Sequence, residues 1–313
     1  MTEPDVLVVG AGSAGARHAA TLRAAGARVH ITDPDAARAA ATGVPTVPYD
    51  LDGFGGYAGI VIASPSTFHA AQATAALATG AHVLVEKPLA MTSSELAPVL
   101  AAADNRVMVG YNLRLHEPVE RLAALVHGGR AGRVSSIRLW FGSWLPDWRP
   151  TVDYRETYSA RKELGGGVLL DAIHELDLLV WLGGAGDFAV AGAVVARLGP
   201  LEIDVEDTAR AVLHRDDGVV AEVSLDYLSR RYRRGVEVIG DEATLRLDWA
   251  RDVLEVETAK EIEAAAAASD VAASYARQAE RFLAFMRGDA SPPVDAREGA
   301  RSVALADRIR AAG

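Results

Sequence analysis

Three glycines, Gly10, Gly12 and Gly15, follow directly on the apolar run at residues 6–9 and open an alanine-rich stretch at 14–25; no other feature limits the fold of this chain so tightly. The run is β-rich and the stretch has helical composition, so the order is strand, glycine turn, helix. In that order each glycine has a physical reason. The first permits a tight turn, the second lets the backbone approach a pyrophosphate, and the third allows the helix to pack closely on the strand. Ser13 and Ala14 carry the turn into the helix, whose N-terminal N–H groups and dipole favour a bound phosphate. About 20 residues further on, Asp33 closes the next strand, where a carboxylate accepts from adenosine ribose hydroxyls and repels a 2′-phosphate. The expected cofactor is therefore NAD rather than NADP, with Arg38 near enough to serve NADP if its side chain turns back. The competing reading, a glycine-rich turn with an ordinary capping Asp, leaves the strand–turn–helix context unexplained.

The alternation continues. Runs at 29–31, 59–62, 82–85 and 107–109 read as strands, and helices are expected from 35, over 67–79, over 93–103 and over 117–127. Strands alternating with helices make a doubly wound parallel sheet covered on both faces. Past residue 130 the character changes to strand-like runs at 137–144, 190–197, 208–214, 219–228, 235–239 and 243–247, with turn signals such as Asp216, Asp217 and Gly218. These predict a largely antiparallel sheet. No Gly/Ser-rich or proline-rich linker intervenes, so the change of pattern alone sets two domains, 1–115 and 116–313. The alanine-rich stretch 261–268 reads as an ordinary helix by propensity.

Charge and composition narrow the partners. A net charge of -10 over 313 residues argues against nucleic acid and anionic membrane, leaving small molecules. With no cysteine, neither disulfides nor thiolate metal sites arise. The acidic N-terminus lacks a signal-peptide pattern, and no apolar stretch reaches the roughly 20 residues of a membrane span, so a soluble cytoplasmic protein is expected. The basic cluster Arg230, Arg231, Arg233 and Arg234 reads as a solvated hairpin or subunit contact.

Among 32 basic residues only Lys87, Lys162 and Lys260 are lysine. Lys87 follows the strand at 82–85, at the carboxyl edge where doubly wound sheets bind ligands. There an ammonium can hydrogen-bond a substrate oxygen and, unlike a guanidinium, release a proton. Pro88 restricts Lys87 to extended geometry and admits a cis bond. The stretch 168–182 is so apolar that a helix made from it is buried nearly all round. At about 100° per residue, Asp171, His174 and Asp177 share one arc about 120° wide, with Glu175 leaning away. A buried histidine among carboxylates suits a general acid/base. A metal site from the same three residues is rejected, since no second histidine is spaced as a ligand.

The glycine motif, the segment Ala63 to His69 (Ala-Ser-Pro-Ser-Thr-Phe-His), Glu86-Lys87-Pro88, and the run Gly165 to Asp177 with Asp171 and His174 together resemble the glucose-fructose oxidoreductase, inositol dehydrogenase and MocA (Gfo/Idh/MocA) family over essentially the whole length. The resemblance implies a Rossmann domain followed by an α+β domain with an open, mainly antiparallel sheet. It implies Lys87, His174 and Asp171 as catalytic residues, and Ser64, Pro65, His69 and Glu86 beside the cofactor, His69 alternatively capping a helix. Arg114 matches a position near the substrate, with an ion pair at the domain boundary as the other reading. In the loop rich in Trp and Arg, Trp148 and Tyr154 are candidates to stack on a sugar or simply to pack the loop. His174 follows Asp171 by one residue fewer than is usual, which departs from the family pattern. The activity implied is hydride transfer between a nicotinamide and a secondary alcohol or ketone of a sugar, cyclitol or sugar nucleotide, with Lys87 and His174 facing one ring. An NAD-retaining hydrolase or eliminase and a non-catalytic NAD sensor are the alternatives. A homodimer or homotetramer through the open sheet is expected.

Overall fold

The apolar run at the start becomes β1 (Asp5–Val9), and the glycine turn leads from it into α1 (Ser13–Ala24). There follow β2 (Arg28–Thr32), α2 (Ala36–Ala41), β3 (Gly59–Ile62), α3 (His69–Ala78), β4 (His82–Glu86), α4 (Leu96–Ala102) and β5 (Val107–Gly110). This computed structural model describes residues 3–50, 52–268 and 270–313; Met1 and Thr2 of the acidic N-terminus lie outside the described residues. The five strands are parallel in the order β2-β1-β3-β4-β5. β3 and β5 are buried along their whole length, as strands covered on both faces must be. The order reverses between β1 and β3, and at such a switch point the carboxyl ends of two strands part to leave a crevice. The glycine turn and the loop after β3 both begin there.

The second half of the chain gives α5 (Glu117–His127), β6 (Val134–Gly142), α6 (Val168–Asp171), α7 (Ile173–Gly183), β7 (Ala189–Ala196), β8 (Thr208–His214), β9 (Val220–Asp226), β10 (Arg233–Gly240), β11 (Thr244–Asp248), β12 (Val253–Glu257) and β13 (Ile262–Ala266). Their sheet runs β13-β12-β11-β10-β6-β9-β8-β7, antiparallel except where β6 pairs with β9. Along β8 and β9 buried and exposed residues alternate, so one face of this sheet meets solvent. α7 is buried nearly all round. The chain ends with α8 (Val271–Met286) and α9 (Ala296–Ala312).

Two expectations need correction. The stretch 261–268 is not a helix: its centre is β13, paired antiparallel with β12 from Val253↔Ala266 to Glu257↔Ile262. Alanine's helix preference is worth only tenths of a kcal/mol per residue, and a row of unpaired backbone groups on β12 outweighs it. Nor do residues 116–313 form one unit. One compact unit is Met1–Leu115 with Val271–Val303, the other His116–Asp270 with Ala304–Gly313. The cause is the apolar face of α8: Ala279, Phe282, Leu283 and Phe285 join Val6, Val8, Val61, Leu84 and Met108 in the first unit's core. The fit is close enough that a Cβ on Gly59 would come 2.6 Å from the Met286 sulfur. No helix of the described residues is long and apolar enough to cross a membrane.

Candidate active site

In the first unit the glycine turn is built as its spacing requires. Gly10 has φ +101°, a left-handed conformation, and a Cβ there would come 2.7 Å from the Ala63 carbonyl oxygen. A Cβ on Gly15 would fall 1.8 Å from the Gly10 carbonyl oxygen, whereas a Cβ on Gly12 would point into open space, meeting nothing beyond its chain neighbours within 4 Å. Gly12 is also the N-cap of α1 and offers no side-chain cap, so the amides that begin the helix with Ser13 and Ala14 face outward unclaimed by that residue. Asp33 is buried, with Oδ2 accepting from the Ala11 N–H at 2.7 Å and Oδ1 from the Asp35 N–H at 2.9 Å. Arg38 does turn back: its Nη1 lies 3.5 Å from Asp33 Oδ1, though most of its side chain is exposed. The open space at Gly12, the uncapped helix start and the carboxylate at the end of β2 fit the pyrophosphate and ribose of NAD.

Beside this turn, the loops after β3 and β4 are tied together. His69, almost fully buried, sets Nδ1 2.7 Å from the Pro88 carbonyl oxygen and Nε2 2.9 Å from that of Ser64. Burial lowers its pKa although both carbonyls and Glu86 act the other way. His69 thus serves as a strut between the Ser64–Pro65 and Lys87–Pro88 backbones. Ser64 Oγ donates to Gln72 Oε1 at 2.6 Å. The Lys87–Pro88 bond is cis. Glu86 Oε1 lies 2.6 Å from Nε2 of buried His18, and its Oε2 accepts the Lys87 N–H at 3.2 Å. Burial opposes ionisation of Glu86, but the His18 contact and the charge of Lys87 outweigh it, and the pKa falls below the ordinary value. His18 went unnoticed in the sequence; its one signal is a polar residue a helical turn past Gly15 on the face that packs inward.

Arg114 is buried and bound within the same unit, Nη1 lying 3.1 Å from Glu298 Oε1 and 3.5 Å from the Pro293 carbonyl oxygen. Of its two readings, the ion pair is the one these contacts form.

In the second unit the apolar stretch at 168–182 is not one helix. It breaks at Ala172 (φ -95°, ψ 30°), leaving Asp171 as the last residue of α6, while His174 and Asp177 belong to α7. The single 100° arc drawn through all three therefore does not hold. Gly167, with φ +109°, precedes α6, and a Cβ there would strike the Glu206 carboxylate at 2.3 Å. Glu206 accepts from the Val168 N–H at 3.1 Å with its carbonyl and from the Leu169 N–H at 3.2 Å with Oε1, which satisfies the start of α6. Burial raises its pKa, and the neighbouring Asp171 charge adds to the rise.

Asp171 and His174 are both 8% exposed, and Asp177 is 1% exposed. Asp171 accepts from the Tyr158 hydroxyl at Oδ1 and from the Tyr227 hydroxyl at Oδ2, the latter at 2.8 Å. Glu175 binds Arg234 through two contacts, 2.6 and 3.1 Å. Arg234 alone of this basic cluster turns inward; Arg230, Arg231 and Arg233 are exposed, as the solvated reading expects, with Arg233 bonded to Asp226 at 2.8 Å and the Arg230 guanidinium 3.6 Å over the Trp144 ring. Trp148 meets Phe141 and Tyr227 edge-on at 5.8 and 5.3 Å, and the Tyr154 hydroxyl accepts from the Glu202 N–H at 3.2 Å. Both therefore help to pack and pin the loop. Tyr227 and Glu206 carried no sequence signal, because nothing local joins positions 171, 206 and 227.

Two family models match successive stretches. Residues 5–111 match the oxidoreductase family, NAD-binding Rossmann fold, and residues 119–246 match the GFO/IDH/MocA C-terminal domain. The 1,5-anhydro-D-fructose reductase of Ensifer adhaerens is 31% identical over 194 residues, covering 59% of this chain and 55% of that protein. Inositol 2-dehydrogenase 2 of Saccharopolyspora erythraea is 27% identical over 259 residues, covering 78% and 73%. Against relatives such as the first, the chain spans about half their length. Among solved structures, levoglucosan dehydrogenase in complex with NADH and L-sorbose has a TM-score of 0.82 at 23% identity over 100% of this chain and 97% of that one. The WlbA dehydrogenase of Bordetella pertussis in complex with NADH and UDP-GlcNAcA has 0.83 at 22% over 99% and 95%. At such identities the structures speak for the fold, while the two family models speak for descent: the chain belongs to the Gfo/Idh/MocA family of oxidoreductases, with an NAD-binding Rossmann fold at its N-terminal end.

Proposed function

We propose that this protein is an NAD-dependent oxidoreductase that moves a hydride between nicotinamide and a secondary alcohol or ketone carbon of a sugar, cyclitol or sugar nucleotide. The observation that carries this reading is the setting of Lys87. A scarce lysine stands at the carboxyl end of β4 in an NAD-binding fold, its backbone held by Glu86 and, through Pro88, by His69. The names of the relatives, an anhydrosugar reductase and an inositol dehydrogenase, support the substrate class. When bound, NAD supplies the carbon that takes or gives the hydride. Backbone amides at Gly12, Ser13 and Ala14 receive the pyrophosphate, Gly10 and Gly15 shape the turn, Asp33 takes the ribose hydroxyls, and Ser64 and Pro65 border the nicotinamide end. Lys87 hydrogen-bonds the substrate oxygen, His174 moves its proton, and Asp171 orients the reacting groups.

The test is reduced-nicotinamide absorbance across a panel of sugars, cyclitols and sugar nucleotides. Turnover is expected with at least one, and Lys87→Ala and His174→Ala are each expected to lower kcat by about 10²- to 10⁴-fold. NAD binding with no redox turnover across the panel would leave the protein a sensor and end this reading.

The assembly we infer is a homodimer or homotetramer through the open face of the β7–β9 sheet, where Val194 and Val212 are 51% and 48% exposed beside Ala191 and Val220. Sedimentation tests it: a monomer at micromolar concentration refutes it. Dependence on the intracellular NAD pool supports a cytoplasmic location, which cell fractionation checks.

A further inference from the structure

Asp171 ends a helix of one turn, and the break at Ala172 cuts it off from α7, so the direction of its carboxylate is not inherited from the helix that carries His174. Its direction has another source. Tyr158, from the loop before the glycines, donates to Oδ1, and Tyr227, the residue after β9, donates to Oδ2. Each oxygen thus holds one phenol, and two donors on opposite oxygens fix both the plane of a carboxylate and its position.

The phenols are themselves held. Tyr227 is fully buried, its N–H donates to the Asp207 carbonyl at 2.8 Å, and the Trp148 ring lies edge-on to its own at 5.3 Å. Tyr158 lies beneath the Arg149 guanidinium at 5.5 Å. Burial first, and then the charge of Asp171, push both hydroxyls well above the ordinary tyrosine range, so at neutral pH both are protonated donors.

We propose that Tyr158 and Tyr227 are positioning residues that clamp the Asp171 carboxylate in one orientation, replacing the helical continuity lost at Ala172. The inference rests on the reading of Asp171 as an orienting group in the oxidoreductase site. It predicts that the loop containing Trp148 and Tyr158 and the catalytic carboxylate act as one piece.

The test is a double-mutant cycle with a spectroscopic arm, using Tyr158→Phe, Tyr227→Phe, Asp171→Asn and the paired variants of the full chain. Each Phe variant should lower kcat roughly ten- to hundredfold, with NAD affinity by calorimetry unchanged. In the Asp171→Asn background the same Phe changes should cost less than about twofold, since the group they position has gone. Losses that multiply in the paired variants overturn the clamp. Independently of turnover, ultraviolet titration should find a phenol ionising at lower pH in Asp171→Asn than in the parent, and that added signal should vanish when Tyr158→Phe or Tyr227→Phe is combined with it. The other charged groups acting on these phenols, Arg149 and Glu206, stay in place throughout. Identical titrations in parent and Asp171→Asn overturn the clamp whatever the activity. Shifted titrations without turnover on any substrate leave it standing and remove the redox reading instead.

Discussion

The turn at Gly10 to Gly15 and the surroundings of Asp171 solve similar problems by opposite means. In the turn, the absence of side chains does the work: backbone meets backbone at Gly10 and Gly15 and open space is kept at Gly12. Around Asp171, side chains brought from positions 158, 206 and 227 converge on one carboxylate and its short helix. The first arrangement is specified by a handful of consecutive residues. The second exists only when distant strands and loops have been put in register. A backbone-built site is consequently brittle to an added atom, and a side-chain-built site is brittle to a lost partner.

The contrast is sharpest at Glu175, whose carboxylate is buried against Arg234. Glu175→Ala leaves a guanidinium without its partner and should lower stability by about 3–5 kcal/mol, measured by denaturant unfolding. A loss under about 1 kcal/mol would mean that water reaches Arg234 and that the second region tolerates missing partners.

Next in size is the pair Gly15→Ala and Gly12→Ala. The first drives a methyl into the Gly10 carbonyl oxygen and should cost about 3 kcal/mol of stability and most NAD binding. The second has room and a φ of -69° that alanine accepts, so stability should stay within about 0.5 kcal/mol while NAD affinity falls at least tenfold. Equal effects of the two on stability would erase the distinction between a glycine kept for packing and one kept for a ligand.

The smallest effect concerns Glu206. Its folded pKa is raised, so the folded state binds the proton more tightly than the unfolded chain. Its contribution to stability is therefore greatest below the unfolded value and declines as pH rises through the folded one. Glu206→Gln should lose that decline, and its stability relative to the parent should improve from pH 4 towards neutrality. A difference that is flat with pH would show that the carboxyl is already well solvated.

These same two regions explain what could be read in advance. The parallel sheet, the turn, Asp33 and the position of Lys87 follow from local pattern, because a strand, a glycine spacing and a helix start are properties of neighbouring residues. The Glu86 tie to His18 needed α1 to be seated on β1 to β3 so that one of its side chains reaches the end of β4, and the Tyr158–Asp171–Tyr227 set needed the closing of a sheet. An amphipathic helix such as α8 announces that it has an apolar face but not which core receives it. Alanine runs are the weakest case: residues 261–268 had helix composition and became an edge strand, since partner availability decided what propensity left nearly even.

The return of α8 to the first unit also has a consequence in time. When residue 115 leaves the ribosome, the surface around Val6, Val8 and Val61 still lacks Phe282 and Leu283. At ordinary elongation rates roughly ten to thirty seconds pass before those side chains are made. The nucleotide-binding half is therefore completed late, and for that interval the nascent chain displays an apolar seam of the sort that chaperones attend.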